Sequence, residues 1–347
     1  MRSFAWFLGL ILLALAVMAT LTYPAWQLLH PLFGFPFHRV ADRLGMITLA
    51  AGFFLVARRL RLADRESLGF ATPPRQFLRE ASFAFALGVL LMGVIIVIML
   101  ALHLRLLRPG LDLSMASFGK LAAQGLMRGI AVALIEETFL RGAMWTGIAR
   151  ESGALAATVL TSLVYALTHF VSSYHVPANQ IGWHSGLDML AGSFGAFARP
   201  LDVADAYICL FAVGVVLATV RMRTGNIAAD QAGWHSGIDM LAGSFGAFAR
   251  PLQVADAYIC LFAVGVVLAT VRMRTGNIAA SLGLHAGFVW VITFVRETSV
   301  ADTASSLHGL LSSFDGVVGW LVCAWTVLVG FALNQFYRRR VNGPQAA

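Results

Sequence analysis

Residues Ala81–Leu104 read ASFAFALGVLLMGVIIVIMLALHL, a run that contains no aspartate, glutamate, lysine or arginine. A helix that crosses a lipid bilayer needs about 20 consecutive apolar residues, so this run predicts a transmembrane helix. The whole chain has the same character. Of its 347 residues 59% are hydrophobic and only 12% are charged, whereas about 25% are charged in a typical soluble domain. We therefore predict an all-α fold, a polytopic membrane helix bundle of about eight transmembrane helices.

Seven further apolar runs complete the predicted set of spans. They are Phe4–Thr22, Leu44–Ala57, Phe118–Thr146, Gly153–Tyr174, Ala206–Val220, Thr275–Val295 and Gly316–Tyr337. The run Phe118–Thr146 differs from the others because it contains five charged side chains. Charged groups inside a membrane span are costly, so this span is where we look first for a functional site.

Basic residues lie at the ends of these runs and predict the orientation of the chain. Six arginines separate the second and third spans, and three more follow the last span: Arg58, Arg59, Arg61, Arg65, Arg75, Arg79, Arg338, Arg339 and Arg340. The positive-inside rule then places both termini in the cytoplasm, with Arg105 and Arg108 as exceptions. We expect a multi-pass protein of the inner (cytoplasmic) membrane. Its net charge of +8 is explained by this pattern, so the bilayer is an expected partner and nucleic acid is not.

An internal repeat interrupts the second half of the chain. Residues 180–229 and 231–280 differ at only three of 50 aligned positions: Ile181/Ala232, Leu187/Ile238 and Asp202/Gln253. A solenoid needs at least three stacked units, so this pattern indicates a tandem duplication that supplies one extra helix. Each copy carries one apolar span that ends in Arg-Met-Arg, and a single extra crossing would invert everything after it. Either the Gly-rich stretch Trp234–Phe248 also crosses or re-enters the membrane, or one copy lies outside the bundle. We favour the second alternative.

The first candidate site follows the apolar stretch Gly129–Ile135. It reads Glu136-Glu137-x-x-x-Arg141. Glu137 and Arg141 are four residues apart, share a helix face and can form an ion pair. Glu136 is rotated by about 100° from Glu137, which leaves it free to act as a base. The alternative is a charge cluster at the surface of a helix end.

Two histidines on other spans form the second part of the candidate site. His169 follows Tyr165 by one helical turn, and His285 lies in Gly283-Leu-His-Ala-Gly287. A neutral histidine can exchange a proton near pH 7 or bind a metal, although a lone histidine in a span is more often a hydrogen-bonded core residue. The chain contains no His-Glu-x-x-His motif and no recognisable serine or cysteine nucleophile motif. A hydrolytic site built from these residues would therefore use activated water.

These motifs together resemble the CPBP family, which includes CAAX proteases and the Abi-type and bacteriocin-processing enzymes. The family pattern has Glu-Glu-x-x-x-Arg, then an aromatic residue four positions before a histidine, then another histidine, on three separate helices. This chain matches with Glu136, Glu137 and Arg141, then Tyr165 and His169, then His285, within about 118–295. The resemblance implies an intramembrane endopeptidase in which Glu136 activates water with His169. It implies that His285 stabilises the oxyanion and that all five charged or histidine side chains are catalytic.

The chain departs from the family pattern at two points. Val289 occupies the position four residues after His285, where the family often has asparagine. The two histidines are 116 residues apart, although removing one 51-residue period gives an ordinary spacing of 65. Zinc is an open alternative, because His169, His285 and Glu136 are a possible ligand set with room for water. We favour the metal-free glutamate mechanism.

Three functions follow from this sequence. The first is an intramembrane endopeptidase whose partner is a membrane-associated protein or peptide substrate. The second is an inactive immunity or scaffold protein with the same fold. The third is a transporter with Glu136 and His169 as a proton relay, which we rank last because the repeat is not half of the protein. We divide the chain into N-terminal helices with a basic loop (1–117), a catalytic core containing the repeat (118–295) and a C-terminal helix with a basic tail (296–347).

Overall fold

The computed structural model describes residues 1–112, 114–169, 171, 175–193, 252–312 and 315–342. Its α-helices are α1 Arg2–Phe33, α2 Phe37–Arg59, α3 Pro74–Ala101, α4 Met115–Glu136, α5 Trp145–Thr168, α6 Ser185–Ser193, α7 Leu252–Thr275, α8 Ala279–Thr298 and α9 Trp320–Asn342. A π-helix, Glu137–Met144, joins α4 to α5, and 3-10 turns occur at Ala178–Gln180 and His308–Leu310. The strands β1 Arg105–Leu107 and β2 Ser299–Ala301 pair antiparallel.

Seven helical segments of the described residues are long and apolar enough to cross a membrane. One of them, Met115–Thr168, has 54 residues, far more than the roughly 20 that a crossing needs. This segment folds back at Gly153, which has a non-helical φ of 82° and ψ of 164°. The Trp145 indole donates to the Thr158 hydroxyl at 3.3 Å, although 13 residues of straight helix would separate them by about 20 Å. The segment thus contains two antiparallel spans, and the predicted all-α polytopic membrane bundle is confirmed.

Contacts between loops and helix ends define two opposite faces of the bundle. The N-terminal face holds Ser3, which bonds the Glu151 carboxylate, and Gly69, whose carbonyl accepts from the Ile278 amide. Helices α3 and α8 start near this face and end next to β1 and β2, which mark the opposite, β-ladder face. His285 is the seventh residue of α8, about 9 Å along the axis at 1.5 Å per residue. It therefore lies inside the bundle.

Glycines let α8 pack directly against the backbones of its neighbours. A Cβ atom added to Gly287 would lie 2.6 Å from the Phe85 carbonyl oxygen of α3. A Cβ atom on Gly129 of α4 would lie 2.6 Å from the Ala286 carbonyl oxygen. Small residues permit this close approach between helices in membranes. As a result, both α3 and α4 pack closely against α8 near the position that carries His285.

Replacing Gly287 by alanine should lower the free energy of unfolding by about 1–3 kcal/mol, because the added methyl group meets rigid backbone. Thermal unfolding of the full chain in detergent measures this change. Gly93→Ala on α3 is the matched control, since nothing lies within 4 Å of an added Cβ there. That control should be neutral or slightly stabilising because alanine is the better helix former. Equal stability of the two variants would contradict close packing at Gly287.

The described parts of the two repeat copies complement each other. The first copy contributes Gln180–Ser193, in which Gly186 packs against the Ala19 carbonyl of α1. The second copy contributes α7, which packs against α5 and α9. Leu252 corresponds to Leu201 in the first copy. Put end to end, the described residues 180–193 and 252–280 therefore cover the sequence of one whole copy except for the seven positions 194–200. The predicted span Ala206–Val220 lies outside the described residues.

Deleting residues 194–244 removes one 51-residue period and joins Ser193 to Phe245, a junction whose sequence both copies already contain. Every described helix is retained. We expect the deleted chain to fold with a free energy of unfolding within about 1 kcal/mol of the parent, because the contacts among the described helices all remain. Thermal unfolding and size-exclusion profiles in detergent measure this. Aggregation of the deleted chain would show that the bundle depends on the removed residues.

Candidate active site

Glu137 is the centre of a buried ion cluster between the π-helix and α8. Its Oε1 lies 3.1 Å from Nη1 of Arg141 and 3.0 Å from Nδ1 of His285. The side chains of Glu137 and Arg141 are fully buried. A buried charge is tolerated only when it is paired, so Arg141 neutralises Glu137. The carboxylate in turn accepts the Nδ1 proton of His285 and fixes the orientation of that ring.

The π-helix changes the local geometry that the sequence predicted. The spacing of Glu137 and Arg141 predicted an ordinary α-helical pair, and the pair does form, but within a π-helix. π-Helical turns widen the backbone and are frequent at functional sites. Arg272 of α7 donates from Nε to the Arg141 carbonyl at 3.2 Å and lies over the Trp145 ring, 5.4 Å from its centroid. Sequence reasoning missed this contact because Arg272 was interpreted only as an orientation signal.

Glu136 approaches the same histidine from the other side. Its Oε2 lies 3.9 Å from Nε2 of His285, which is too long for a direct hydrogen bond. This oxygen is buried but has no hydrogen-bond partner among the described residues. The Glu136 side chain as a whole is 30% exposed, in contrast to the enclosed Glu137. Glu137 also has one buried oxygen, Oε2, without a hydrogen-bond partner. The two glutamates differ because Glu137 is held through Oε1 by Arg141 and His285, whereas the ionic contact of Glu136 with His285 is 3.9 Å long.

Tyr165 connects the ion cluster to the second histidine. Its ring lies under the Arg141 guanidinium at 4.5 Å, and its centroid is 5.8 Å from the His285 ring and 4.4 Å from the His169 ring. Nδ1 of His169 lies 2.7 Å from the Tyr165 carbonyl oxygen, so Nδ1 carries the proton and Nε2 is left as an acceptor. The structure therefore places Nε2 of His285 3.9 Å from Glu136 and the His169 ring against Tyr165.

A cavity of about 240 Å³ opens beside these residues. Tyr165, His169 and His285 line it together with Arg128 and with apolar side chains of α3, α7, α8 and α9. Val289 also lines the cavity, so the position where the family often has asparagine offers no side-chain donor here. An apolar cavity with a few convergent polar groups is the usual form of a ligand site.

Zinc binding by Glu136, His169 and His285 stays a prediction. Within the described residues no group of three or more histidine, cysteine, aspartate and glutamate side chains is arranged to hold a metal ion. Nδ1 of His285 bonds Glu137, and Nδ1 of His169 bonds a backbone carbonyl. Such bonds leave Nε2 of each ring free and are common in histidines with or without a metal. We derive no step through zinc.

One known family matches the part of the chain that contains α4 and α5, which carry most of this site. Residues 118–241 match the family model for Rce1-like type II CAAX prenyl endopeptidases. About a third of the chain is thus similar to this family. The match includes Glu136, Glu137, Arg141, Tyr165 and His169, and it confirms the resemblance to CAAX proteases. His285 lies beyond the matched residues, although it contacts both glutamates. No match was found among curated proteins or among solved structures.

Proposed function

We propose that this protein is an intramembrane endopeptidase that hydrolyses a peptide bond of a membrane-associated protein or peptide. The Rce1-like match supports a CAAX-type protease in general terms. The observation that carries the proposal is the unsatisfied Glu136 oxygen, 3.9 Å from Nε2 of His285 in a span. A carboxylate oxygen without a hydrogen bond is energetically costly inside a membrane protein. Such groups are rare there and mark candidate functional sites. The prenylated substrate named by the family is not assigned to this chain.

In this mechanism Glu136 is the general base. Its carboxylate takes a proton from a water molecule while the water oxygen bonds the carbonyl carbon of the substrate. The carbonyl π electrons move to oxygen and form a tetrahedral oxyanion. Glu136 then returns the proton to the leaving amine, the C–N bond breaks, and an acid and an amine are released. Water is the only co-reactant, so atoms and charge balance.

His285 and His169 have separate roles in this proposal. The Glu137 carboxylate, 3.0 Å from Nδ1, orients the His285 ring. With a proton on Nε2, His285 donates toward the oxyanion. His169, next to Tyr165, presents Nε2 and assists the proton transfers to and from water. Glu137 bonds both Arg141 and His285, so this ion pair orients the histidine rather than the substrate.

The orientation of the chain is part of the proposal. We infer that the N-terminal face is cytoplasmic and that the protein resides in the inner membrane. Arg58 and Arg59 end α2 close to this face, and Arg150 donates to the Ser67 hydroxyl there at 2.8 Å. Clusters of basic residues favour the cytoplasmic side. The site would then lie about 9 Å below that surface, measured along α8.

Comparison of membrane-protein termini in cells tests the proposed function. Cells that express the wild-type chain or Glu136→Gln at matched levels are compared by mass spectrometry of new N-termini and C-termini. We expect new termini only with the wild type, because glutamine cannot accept the proton. The new termini would also identify the substrate. Identical profiles with two folded, equally abundant proteins would overturn the proposal and favour an immunity or scaffold role.

A further inference from the structure

Arg128 of α4 is an exposed arginine whose side chain makes no ion pair or hydrogen bond with any described residue. It lies 13 residues after the start of α4 at Met115. The adjacent Gly129 packs against the Ala286 carbonyl of α8, so Arg128 is level with the central part of α8. Its side chain is exposed and lines the cavity that also contains His169 and His285.

Two ordinary explanations for an intramembrane arginine do not apply here. An arginine near a helix end can extend its charged group to the bilayer surface, but Arg128 is far from both ends of the helix that continues from α4 through the π-helix. An arginine can also be neutralised by a carboxylate. Arg296, which also lines the cavity, is paired in this way with Asp315 at 2.8 Å. Arg128 has no equivalent partner in the described parts of the chain.

We propose that Arg128 binds a carboxylate of the peptide substrate and so determines which peptides are cleaved; this inference rests on the proposed function. A guanidinium group can hold a carboxylate through two parallel hydrogen bonds. Arg128 and Glu136 are eight residues apart, which is about 12 Å along a helix at 1.5 Å per residue. An extended peptide covers this distance in three to four residues at about 3.3 Å each. The recognised carboxylate therefore lies three or four residues from the cleaved bond.

The position of Arg128 favours a peptide over a phospholipid as the source of the anion. Phospholipid phosphates lie at the bilayer surface, outside a hydrocarbon core of about 30 Å. The 20 residues of α8 span about the same distance, and Arg128 is level with their central part. One occupant of the cavity would contact Arg128 and both histidines. The apolar walls of the cavity suit a peptide whose other side chains are apolar.

Equilibrium binding to the Glu136→Gln chain, in nanodiscs of phosphatidylcholine, tests this inference without requiring cleavage. The probes are fluorescein-labelled leucine–alanine peptides in two matched pairs: one pair differs by Asp against Asn, the other by a free against an amidated C-terminus. We expect the acidic member of at least one pair to bind about tenfold more tightly, as a charge-assisted hydrogen bond predicts. Adding Arg128→Gln should reduce this ratio to about one. Adding Lys120→Gln, an exposed cation of α4 that does not line the cavity, should leave it unchanged.

The outcomes separate this inference from the proposed function. Equal binding of acidic and neutral peptides, or a ratio that Arg128→Gln does not change, would overturn the role of Arg128 even if Glu136-dependent proteolysis is found. A retained ratio without any proteolysis in cells would overturn the protease and leave an acidic-peptide site. Phosphatidylglycerol serves as an anionic competitor. If it displaces the acidic and the neutral peptides equally, and does so only in the chain that keeps Arg128, then Arg128 binds a lipid phosphate and the substrate assignment is wrong.

Discussion

Replacing Arg141 by methionine should lower the free energy of unfolding by about 3–5 kcal/mol, because it leaves the fully buried Glu137 carboxylate without its cation. No water reaches either side chain, since both are completely enclosed. Methionine has a similar length and no charge, so lost packing is a small part of the expected effect. The fraction of folded, monodisperse protein in detergent and its thermal unfolding midpoint measure the change.

The double variant Glu137→Gln/Arg141→Met is the control for this prediction. It removes both charges, so it should recover a large part of the stability that Arg141→Met loses. It should be inactive, because glutamine lacks the charge of the carboxylate that bonds Nδ1 of His285. If Arg141→Met alone is as stable as the wild type, then the pair between Glu137 and Arg141 does not stabilise the fold.

Replacing His285 by glutamine should reduce kcat for the substrate identified from cellular termini by about 10²–10⁴-fold, the range for a proton-transfer group. His285 is the histidine that contacts both glutamates, with Nδ1 at 3.0 Å from Glu137 and Nε2 at 3.9 Å from Glu136. KM should change much less than kcat, since the proposed bond to the oxyanion forms only in the transition state. Single-turnover cleavage in proteoliposomes separates the two constants.

His169→Gln and His30→Gln complete the comparison. His169 also lines the cavity, so its replacement should reduce kcat, but its half-buried position away from the ion cluster predicts little loss of stability. His30 bonds the Phe35 carbonyl near the end of α1, and His30→Gln should leave kcat unchanged. Full activity of His285→Gln would exclude His285 from the reaction and leave Glu136 with no histidine partner.

The sequence predicted the membrane spans well where apolar runs were unbroken. The run Ala81–Leu104 became α3, Pro74–Ala101, displaced by a few residues toward the N-terminus. The predicted span Leu44–Ala57 was too short, since the helix begins at Phe37. Arg39, Asp42 and Arg43 interrupt the apolar run but not the backbone hydrogen bonds, so hydropathy alone cannot find the start of that helix.

The site was predictable in its parts and not in its contacts. The four-residue spacing predicts that Glu137 and Arg141 pair, because that contact is local. The bond between Glu137 and His285 joins residues 148 positions apart, and only the packing of α8 against α4 determines it. For the same reason the sequence could not reveal that His285, rather than His169, lies next to Glu136. The roles assigned to these five residues stay predictions.

The order in which the chain is synthesised gives the Glu137–Arg141 pair another consequence. At 5–20 residues per second, a ribosome needs about 7–30 s to make the 148 residues between Glu137 and His285. During that interval the nascent hairpin of α4 and α5 must enter the membrane without α7 or α8. The ion pair lies within one stretch of helix, so it can neutralise itself as soon as that stretch is inserted. The translocon therefore receives a hairpin in which the Glu137 and Arg141 charges already neutralise each other. His285 is made later and meets a carboxylate that is already in place.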